Sequence, residues 1–229
     1  MKDTNEELKV MPPEERRRGV LGSLFLGLVL AFHASLIAEA SMPSASAGGR
    51  VARGGCTLVG TSDNEVLRGT AGDDVICGLE GNDVLIGGGG DDVLLGGPGA
   101  DVLQPGAGDD RVWGGSWGDT VSYADSGHAV ILNLAEGTAR GVGIDKIHSV
   151  SHATGSFWDD RLHGDSTRNR LRGHRGDDGI RGMTGPDRLY GNGGDDGIHG
   201  GPGADLIDGG PGRDRCVQGS GSGEYQNCP

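Results

Sequence analysis

The sequence has few of the residues that usually fill a protein core or bind nucleic acid. Aromatic residues make up 4% of the 229 residues, whereas glycine accounts for 48 of them. Lysine and arginine total 20 against 33 acidic residues, and the net charge of -13 argues against a nucleic-acid partner. Because glycine loses the most conformational freedom on folding, such a chain needs a special reason to be ordered.

Long apolar runs are also scarce, and the one at Val20–Ala38 follows the basic stretch Arg16–Arg18. Two small-x-small cleavage candidates come after it. Together these features predict a secretory signal peptide over residues 1–40, with cleavage as late as residue 47. The alternative is a retained N-terminal membrane anchor, since the run is just long enough to span a bilayer. Residues 41–55, rich in Ser, Ala and Gly, are predicted to form a flexible linker.

The glycines recur in a nine-residue pattern. In the unit Gly87–Leu95, glycine fills positions 1 to 4, Asp92 is position 6 and Leu94 is position 8. Seven consecutive units begin at residues 60, 69, 78, 87, 96, 105 and 114, and seven more begin at residues 155, 164, 173, 182, 191, 200 and 209. This periodicity predicts an ordered repeat architecture instead of a low-complexity coil.

Each position of the unit has a physical role. Glycines at positions 1, 2 and 4 permit positive φ and let backbone carbonyls converge. Position 8 is aliphatic in nearly every unit, and because strand side chains alternate, it would point into a thin core while positions 7 and 9 face outward. Calcium takes about six to eight oxygen ligands, both carbonyl and carboxylate, and a glycine-rich turn followed by Asp supplies both kinds. We therefore expect folding to be coupled to metal binding.

The units resemble the Gly-Gly-x-Gly-x-Asp-x-aliphatic-x repeats of the RTX (haemolysin-type) calcium-binding family. The resemblance covers residues 60–217. It implies an all-β fold, a parallel β-roll (a right-handed, β-helix-like solenoid) in which two units make one turn. Two seven-repeat arrays, residues 56–122 and 155–217, would be joined by a short non-repeat insert at 123–154 and followed by a C-terminal cap or tail at 218–229.

The resemblance also implies the metal ligands, because each calcium in that family lies between a loop and the loop two repeats later. The expected carboxylate ligands are at position 6: Glu65, Asp74, Asp83, Asp92, Asp101, Asp110, Asp119, Asp160, Asp178, Asp187, Asp196, Asp205 and Asp214. Carbonyl ligands are expected around the position 4 glycines: Gly72, Gly81, Gly90, Gly99, Gly108, Gly176, Gly185, Gly194, Gly203 and Gly212. Asn169 lacks the charge, so its site is expected to be weak or empty. This pattern predicts about six well-supported Ca²⁺ ions and at most about ten.

The insert and the cysteines carry weaker signals. Alternating apolar residues over Val130–Leu134 predict one strand, a turn is expected at residues 136–138, and Ile144–Val150 predicts a second short element.

The four cysteines allow three disulfide pairings and show no C-x-x-C metal spacing. We favour Cys56–Cys77 and Cys216–Cys228, because each pair closes a short loop near an open end of the array.

The outward positions 7 and 9 differ between the two blocks. In the first block they include the apolar residues Val75, Val84, Ile86, Val93, Leu95, Val102 and Trp113. In the second block they include the basic residues Arg161, Arg170, Arg172, Arg181, Arg188, His163 and His199. Strand propensity and an ordinary solvated face are sufficient explanations, but the apolar face is also suited to self-association or to a protein or surface partner.

These features predict an exported calcium-binding β-roll that acts as a structural, adhesive or calcium-responsive extracellular module and is not an enzyme. The alternative is a remnant of a secreted RTX-type hydrolase or epimerase with chemistry on the roll surface, for which the sequence offers no catalytic constellation. We expect the protein to be extracellular, or at the cell surface and in contact with the membrane if the N-terminal apolar segment is retained.

Overall fold

The computed structural model describes residues 55–228. The predicted signal peptide and all but the last residue of the predicted linker therefore lie outside the described residues. Within residues 55–228 the fold is all-β, and no helix suited to crossing a membrane is found there. The strands are β1 Leu58–Val59, β2 Val66–Arg68, β3 Val75–Cys77, β4 Val84–Gly89, β5 Val93–Pro98, β6 Val102–Ala107, β7 Arg111–Ser116, β8 Thr120–Ser122, β9 Ile131–Asn133, β10 Thr138–Arg140, β11 Ile144–His148, β12 His152–Thr154, β13 Arg161–His163, β14 Arg170–Arg175, β15 Gly179–Arg181, β16 Arg188–Gly193, β17 Gly197–His199, β18 Leu206–Asp208, β19 Arg215–Val217 and β20 Glu224–Gln226.

The strands form two sheets, and within the repeats the chain enters them alternately. One sheet has eleven strands in the order β1-β3-β5-β7-β11-β10-β9-β13-β15-β17-β19, and the other has nine in the order β2-β4-β6-β8-β12-β14-β16-β18-β20. Strands of successive turns pair in parallel and in register, as Leu85 does with Leu103 and Leu94 with Val112. Two nine-residue units thus make one turn of a parallel β-solenoid of about nine turns, which confirms the predicted fold class.

A row of stacked aliphatic side chains from position 8 fills the space between the two sheets. Leu94, Leu103 and Leu171 are fully buried, and one continuous cluster joins them to Leu132 and Ile147 of the insert. One buried aliphatic side chain contributes about 1.5–3 kcal/mol. Ordering the backbone of each residue in the unit costs about 1–2 kcal/mol. A core this thin therefore needs further stabilisation from the loops.

The insert adds strands to the eleven-stranded sheet. Strand β9 pairs with β13, β10 runs antiparallel between β9 and β11, and β11 pairs with β7. Strand β12 then lies between β8 and β14 in the other sheet. The two elements predicted in the insert are confirmed as β9 and β11, whereas β10 and β12 were not predicted. Both sheets and the core pass through the insert, so the described repeats share one roll.

Two disulfides close the ends of the roll. They join Cys56 to Cys77 and Cys216 to Cys228, with Cα atoms 6.1 and 5.9 Å apart, and confirm the favoured pairing. Cys77 is buried, and Cys216 and Cys228 pack against the end of the core. Each bond restricts the unfolded chain, which contributes roughly 3 kcal/mol for loops of this length.

Candidate metal sites along the loop edges

The loops between the sheets form two edges of the roll, and the position 6 side chains lie on them, one residue before a strand. We call the loops that lead into the eleven-stranded sheet the first edge. It carries Asp74, Asp92, Asp110, Asp160, Asp178, Asp196 and Asp214. The loops that lead into the nine-stranded sheet are the second edge. It carries Glu65, Asp83, Asp101, Asp119, Asn169, Asp187 and Asp205.

One oxygen of most of these carboxylates is held by the preceding turn. The Asp83 N–H donates to Asp101 Oδ1 at 2.8 Å, and the Asp178 N–H donates to Asp196 Oδ1 at 2.8 Å. The same bond recurs along both edges between residues 18 apart. From Asp83 onward the position 6 residues are buried, whereas Glu65 and Asp74 at the N-terminal end are only half-buried. The loops thus fix each carboxylate and remove it from water.

The second oxygen of many of these carboxylates has no partner. In residues 55–228 the buried Oδ2 atoms without a hydrogen bond belong to Asp83, Asp92, Asp101, Asp110, Asp119, Asp178, Asp187, Asp196 and Asp214. A buried ionised carboxylate is strongly unfavourable unless a counter-charge or donors satisfy it. A row of orphaned oxygens of this kind is the pattern expected where a bound cation completes the structure.

Carbonyl oxygens converge on the same places. A Cβ atom built on Gly78, at position 1, would lie 2.6 Å from Asp83 Oδ2 and 2.7 Å from the carbonyl oxygen of Gly96 one turn later. Glycine here keeps a space open in which a carboxylate and a carbonyl oxygen meet. Within the described residues no three His, Cys, Asp or Glu side chains form a metal cluster, so a cation at these places would also take carbonyl or water oxygens. Such an all-oxygen set suits calcium and fits the ion that the resemblance implies.

Burial raises the pKa of several of the orphaned carboxylates. It brings the pKa of Asp92 to about 7 and that of Asp178 to about 8, and the backbone N–H bonds each accepts offset only part of this. Burial likewise raises the pKa to about 6 at Asp110, Asp119, Asp187 and Asp196. Neighbouring carboxylates add to the effect along both edges. Without a cation, these carboxyl groups therefore bind protons at a much higher pH than an ordinary aspartate does.

Calcium-free protein is expected to gain strand signal as the pH falls from about 8 to about 5. Six of its position 6 aspartates have pKa values of about 6 to 8 when folded, against 3.8 ordinarily, so the folded state binds more protons in this window. Its stability is consequently lost as the pH rises through these values. Because protons already stabilise the calcium-free fold at pH 5, the calcium concentration at half-folding should be lower at pH 5 than at pH 8. Circular dichroism in metal-depleted buffers measures both trends, and identical calcium midpoints at the two pH values would contradict them.

Three position 6 aspartates are satisfied by the protein itself. Asp74 accepts bonds from the N–H and the hydroxyl of Thr70 at 2.7 and 2.8 Å. Asp160 accepts the Ser156 hydroxyl at 2.7 Å, and Gln218 lies within 3.4 Å of Asp205. At Asn169 the side-chain amide donates to the Ser151 carbonyl at 2.9 Å, which places a donor where its neighbours present an acceptor. These loops depend least on a cation.

The insert contains one member of the first edge that the sequence analysis missed. Asp145 is buried, its Oδ1 accepts the Asp110 N–H at 3.1 Å, and its Oδ2 accepts the Tyr123 hydroxyl at 2.6 Å. The signal was the stretch Gly141–Ile147, which has glycine, glycine, aspartate and isoleucine at positions 2, 4, 6 and 8. It lies one residue out of the register of the first block, so a strict nine-residue count passes over it.

Position 5 supplies a second, outer row of carboxylates that was also missed. Asp73 Oδ1 accepts the Asp91 N–H at 2.9 Å, and Asp177 Oδ1 accepts the Asp195 N–H at 2.8 Å. On the first edge, position 5 is acidic in the loops of Asp73, Asp91, Asp109, Asp159, Asp177 and Asp195. On the second edge the same position holds Asn64, Asn82, Ala100, Gly118, Arg168, Pro186 and Ala204. The first edge is therefore much the more acidic.

The roll and its two rows of oxygen ligands define a calcium-binding β-solenoid protein. The sequence model of the RTX calcium-binding nonapeptide repeat matches the chain in four copies, over residues 59–94, 86–121, 155–189 and 181–216. These matches cover more than half of the chain, which therefore belongs to the RTX calcium-binding repeat family. A comparison with curated proteins gives no match.

Proposed function

We propose that this protein is an exported scaffold that folds into its roll as calcium binds along both edges. Through that folded state it acts as a structural, adhesive or calcium-responsive module. The observation that carries the proposal is the row of nine buried carboxylate oxygens without a partner. A fold that buries so many unsatisfied acceptors is stable only when something supplies their counter-charge.

The residues that would hold the ions are the orphaned carboxylates and the glycine carbonyls of the following turn. On the first edge these carboxylates are Asp92, Asp110, Asp178, Asp196 and Asp214, and on the second they are Asp83, Asp101, Asp119 and Asp187. Bound calcium would supply positive charge at each position. The chain itself fixes the Oδ1 atoms through backbone N–H bonds and keeps the Oδ2 atoms free to bind.

The two edges should bind calcium with different affinities. Affinity at oxygen sites rises with the number of charged groups, and the first edge adds an acidic residue at position 5 in six loops. We therefore expect two classes of site, with the tighter class on the first edge. Asp178 belongs to that class, since it lies beside Asp177 and burial raises its pKa to about 8.

Calorimetric titration of metal-depleted protein tests the proposal. We expect uptake of about six to ten calcium ions per chain in two affinity classes. Asp178→Asn should remove about one ion of the tight class, because Asn cannot carry the charge that the site needs. Asp125→Asn is the matched control, since Asp125 is an exposed residue of the insert and should leave the uptake unchanged. Absence of calcium uptake, or equal losses in both variants, would refute the assignment.

Several parts of the proposal rest on the sequence alone. Export, cleavage of the N-terminal segment, and an extracellular or cell-surface location stay predictions. Self-association through the apolar outer face of the first block also stays a prediction. An RTX roll is a structural calcium-binding fold, and the surface hydrolase or epimerase remains the alternative function.

A further inference from the structure

The outer face of the eleven-stranded sheet carries a groove in the second block. The groove has a volume of about 760 Å³ and crosses β13, β15, β17 and β19. Arg161 and Arg215 lie at its two ends, in one column of position 7 residues, with Gly179 and Gly197 between them. Two consecutive turns of the roll thus lack side chains between two arginines of the same column.

The fold does not require glycine at either position. Neither Gly179 nor Gly197 has a positive φ, and a Cβ atom on either would meet no heavy atom nearer than 3.8 Å. In the first block the corresponding position is Val75 and Val93. Glycine inside a strand weakens it relative to valine, and it often marks a place where a ligand approaches the backbone closely. The two glycines therefore keep space open on the surface, and the backbone conformation does not require them.

The charged side chains that line the groove are all basic, whereas the acidic residues of the first edge border it where β13, β15, β17 and β19 begin. Arg161, Arg181 and Arg215 are exposed along it, and the next column continues with His163 and His199. No acidic side chain is among the residues that line it, although the chain has a net charge of -13. Arginine presents a planar fork of donors that matches a carboxylate or a sulfate in two parallel hydrogen bonds. This chemistry selects an anionic ligand.

The shape of the groove selects an elongated ligand. Arg161 and Arg215 are three strand spacings apart, about 14 Å, and the line between them runs along the roll axis. One side is formed by Met183, Thr184 and Pro202 from the loops that follow β15 and β17. A ligand that reaches both arginines must carry anionic groups at intervals along a chain.

The floor of the groove discriminates among anionic polymers. Strands β15 and β17 are each paired on both sides, so they offer no free backbone groups to which an acidic peptide could add as a strand. No Trp, Tyr or Phe side chain lines the groove, so nucleobases have only imidazole and guanidinium planes on which to stack. A sugar ring needs neither feature, and its hydroxyl groups can bond to the imidazoles and to Thr184.

We propose that this groove is a binding site for an anionic polysaccharide. Carboxylate or sulfate groups of the polymer pair with Arg161, Arg181 and Arg215, and a sugar ring lies over Gly179 and Gly197. The site is distinct from the loop edges, and calcium contributes to it only by holding the strands in register.

Fluorescence anisotropy with the full chain in saturating calcium tests the proposal. The probes are short labelled oligogalacturonates and heparin oligosaccharides, which separate carboxylate from sulfate, with a dextran oligosaccharide as the neutral control. We expect binding of at least one anionic probe and none of dextran. Polyglutamate and oligo-dT of matched charge are expected to bind at least tenfold more weakly than that probe. Equal binding of these polymers, or no binding of either saccharide, would overturn the assignment.

Variants locate the binding. Arg161→Gln and Arg215→Gln should each weaken saccharide binding roughly tenfold, because each removes a charge-assisted pair. Arg188→Gln, an equal charge change on the outer face of the nine-stranded sheet, should leave it unchanged. Gly197→Val should weaken binding more than tenfold while removing no charge. Wild-type binding by Gly197→Val, or equal weakening by Arg188→Gln, would contradict the proposed site.

Calcium titration of the same samples separates this site from the function of the loop edges. Each variant should take up as much calcium as the wild-type protein and show the same strand signal, since none of the substituted residues lies on an edge. A protein that binds no calcium refutes the proposed function. A protein that binds calcium but no anionic saccharide refutes only the groove.

Discussion

In calcium-free solution at neutral pH, the protein is expected to lose most of its strand signal, and added calcium is expected to restore it. Calcium at tenfold its dissociation constant adds about 1.4 kcal/mol per site. Six such sites contribute about 8 kcal/mol, which is comparable to the whole net stability of a typical domain. Calcium should therefore decide whether this roll folds.

The physical reason is the arrangement of the edges. Burial of Asp92 and Asp178 disfavours their charged forms, and the stacked neighbours Asp110 and Asp160 repel them across one strand spacing. The hydrophobic core, with one aliphatic side chain per unit, is too small to offset both this electrostatic penalty and the entropy lost in ordering a glycine-rich backbone. A cation on each edge removes the repulsion and links successive turns.

Far-ultraviolet circular dichroism during a calcium titration measures the effect. Magnesium is the matched control, because it demands a near-ideal octahedron and gives up its water reluctantly. We expect magnesium at the same concentration to restore little of the signal. A folded spectrum in a strong chelator, or equal recovery with magnesium, would contradict the proposed dependence on calcium.

The insert is expected to be the most persistent region during calcium removal. Asp145 has both oxygens satisfied, by the Asp110 N–H and the Tyr123 hydroxyl, so its burial needs no cation. Leu132 and Ile147 belong to the same core cluster beside it. Amide exchange at limiting calcium should accordingly be slowest in β9 to β12 and fastest in the loops of Asp92 and Asp196.

The period of nine made much of this architecture predictable. Leu85, Leu94 and Leu103 recur at position 8, and strand side chains alternate between the two faces of a sheet. The row of buried aliphatic side chains and the pairing of every second unit both follow from this. The burial of Asp92 and Asp178 before their strands follows from the same count. The disulfides were predictable because their cysteines lie close together in sequence at the two ends.

The features that the sequence analysis missed depend on spatial neighbours and not on the period. Strand β10 is short and polar, and it forms only because β9 and β11 lie on its two sides. The acidic residues at position 5 can be read from the sequence. That they lie on the first edge and not on the second becomes clear only when alternate loops are assigned to opposite edges. The groove at Gly179 and Gly197 likewise needs the pairing of β15 with β17, since the two glycines are 18 residues apart.

The position 4 glycines give the sharpest test of how the loops are built. Gly90 has φ of 97°, and a Cβ atom on it would lie 2.6 Å from the carbonyl carbon of Gly72 and 2.7 Å from the nitrogen of Asp73. Gly89, its neighbour in the same loop, lacks a positive φ and would place a Cβ no nearer than 3.8 Å to any heavy atom. One methyl group thus meets opposite environments at adjacent residues.

Gly90→Ala is expected to lower the free energy of unfolding in saturating calcium by at least about 2 kcal/mol. The left-handed backbone alone costs an alanine about 1–2 kcal/mol, and the clash is with backbone that cannot rotate away. Gly89→Ala should be neutral or stabilising by up to about 1 kcal/mol, because it only restricts the unfolded chain. Urea denaturation with calcium present measures both values.

Calcium uptake by the same pair distinguishes a structural from a ligand-presenting role for the loop. If the backbone around Gly90 presents carbonyl oxygens to an ion, Gly90→Ala should also weaken about one site in calorimetry, while Gly89→Ala should not. Full calcium uptake with reduced stability would mean that Gly90 serves the turn alone. Equal stability of the two variants would contradict the close approach of successive loops, on which both edges of the roll depend.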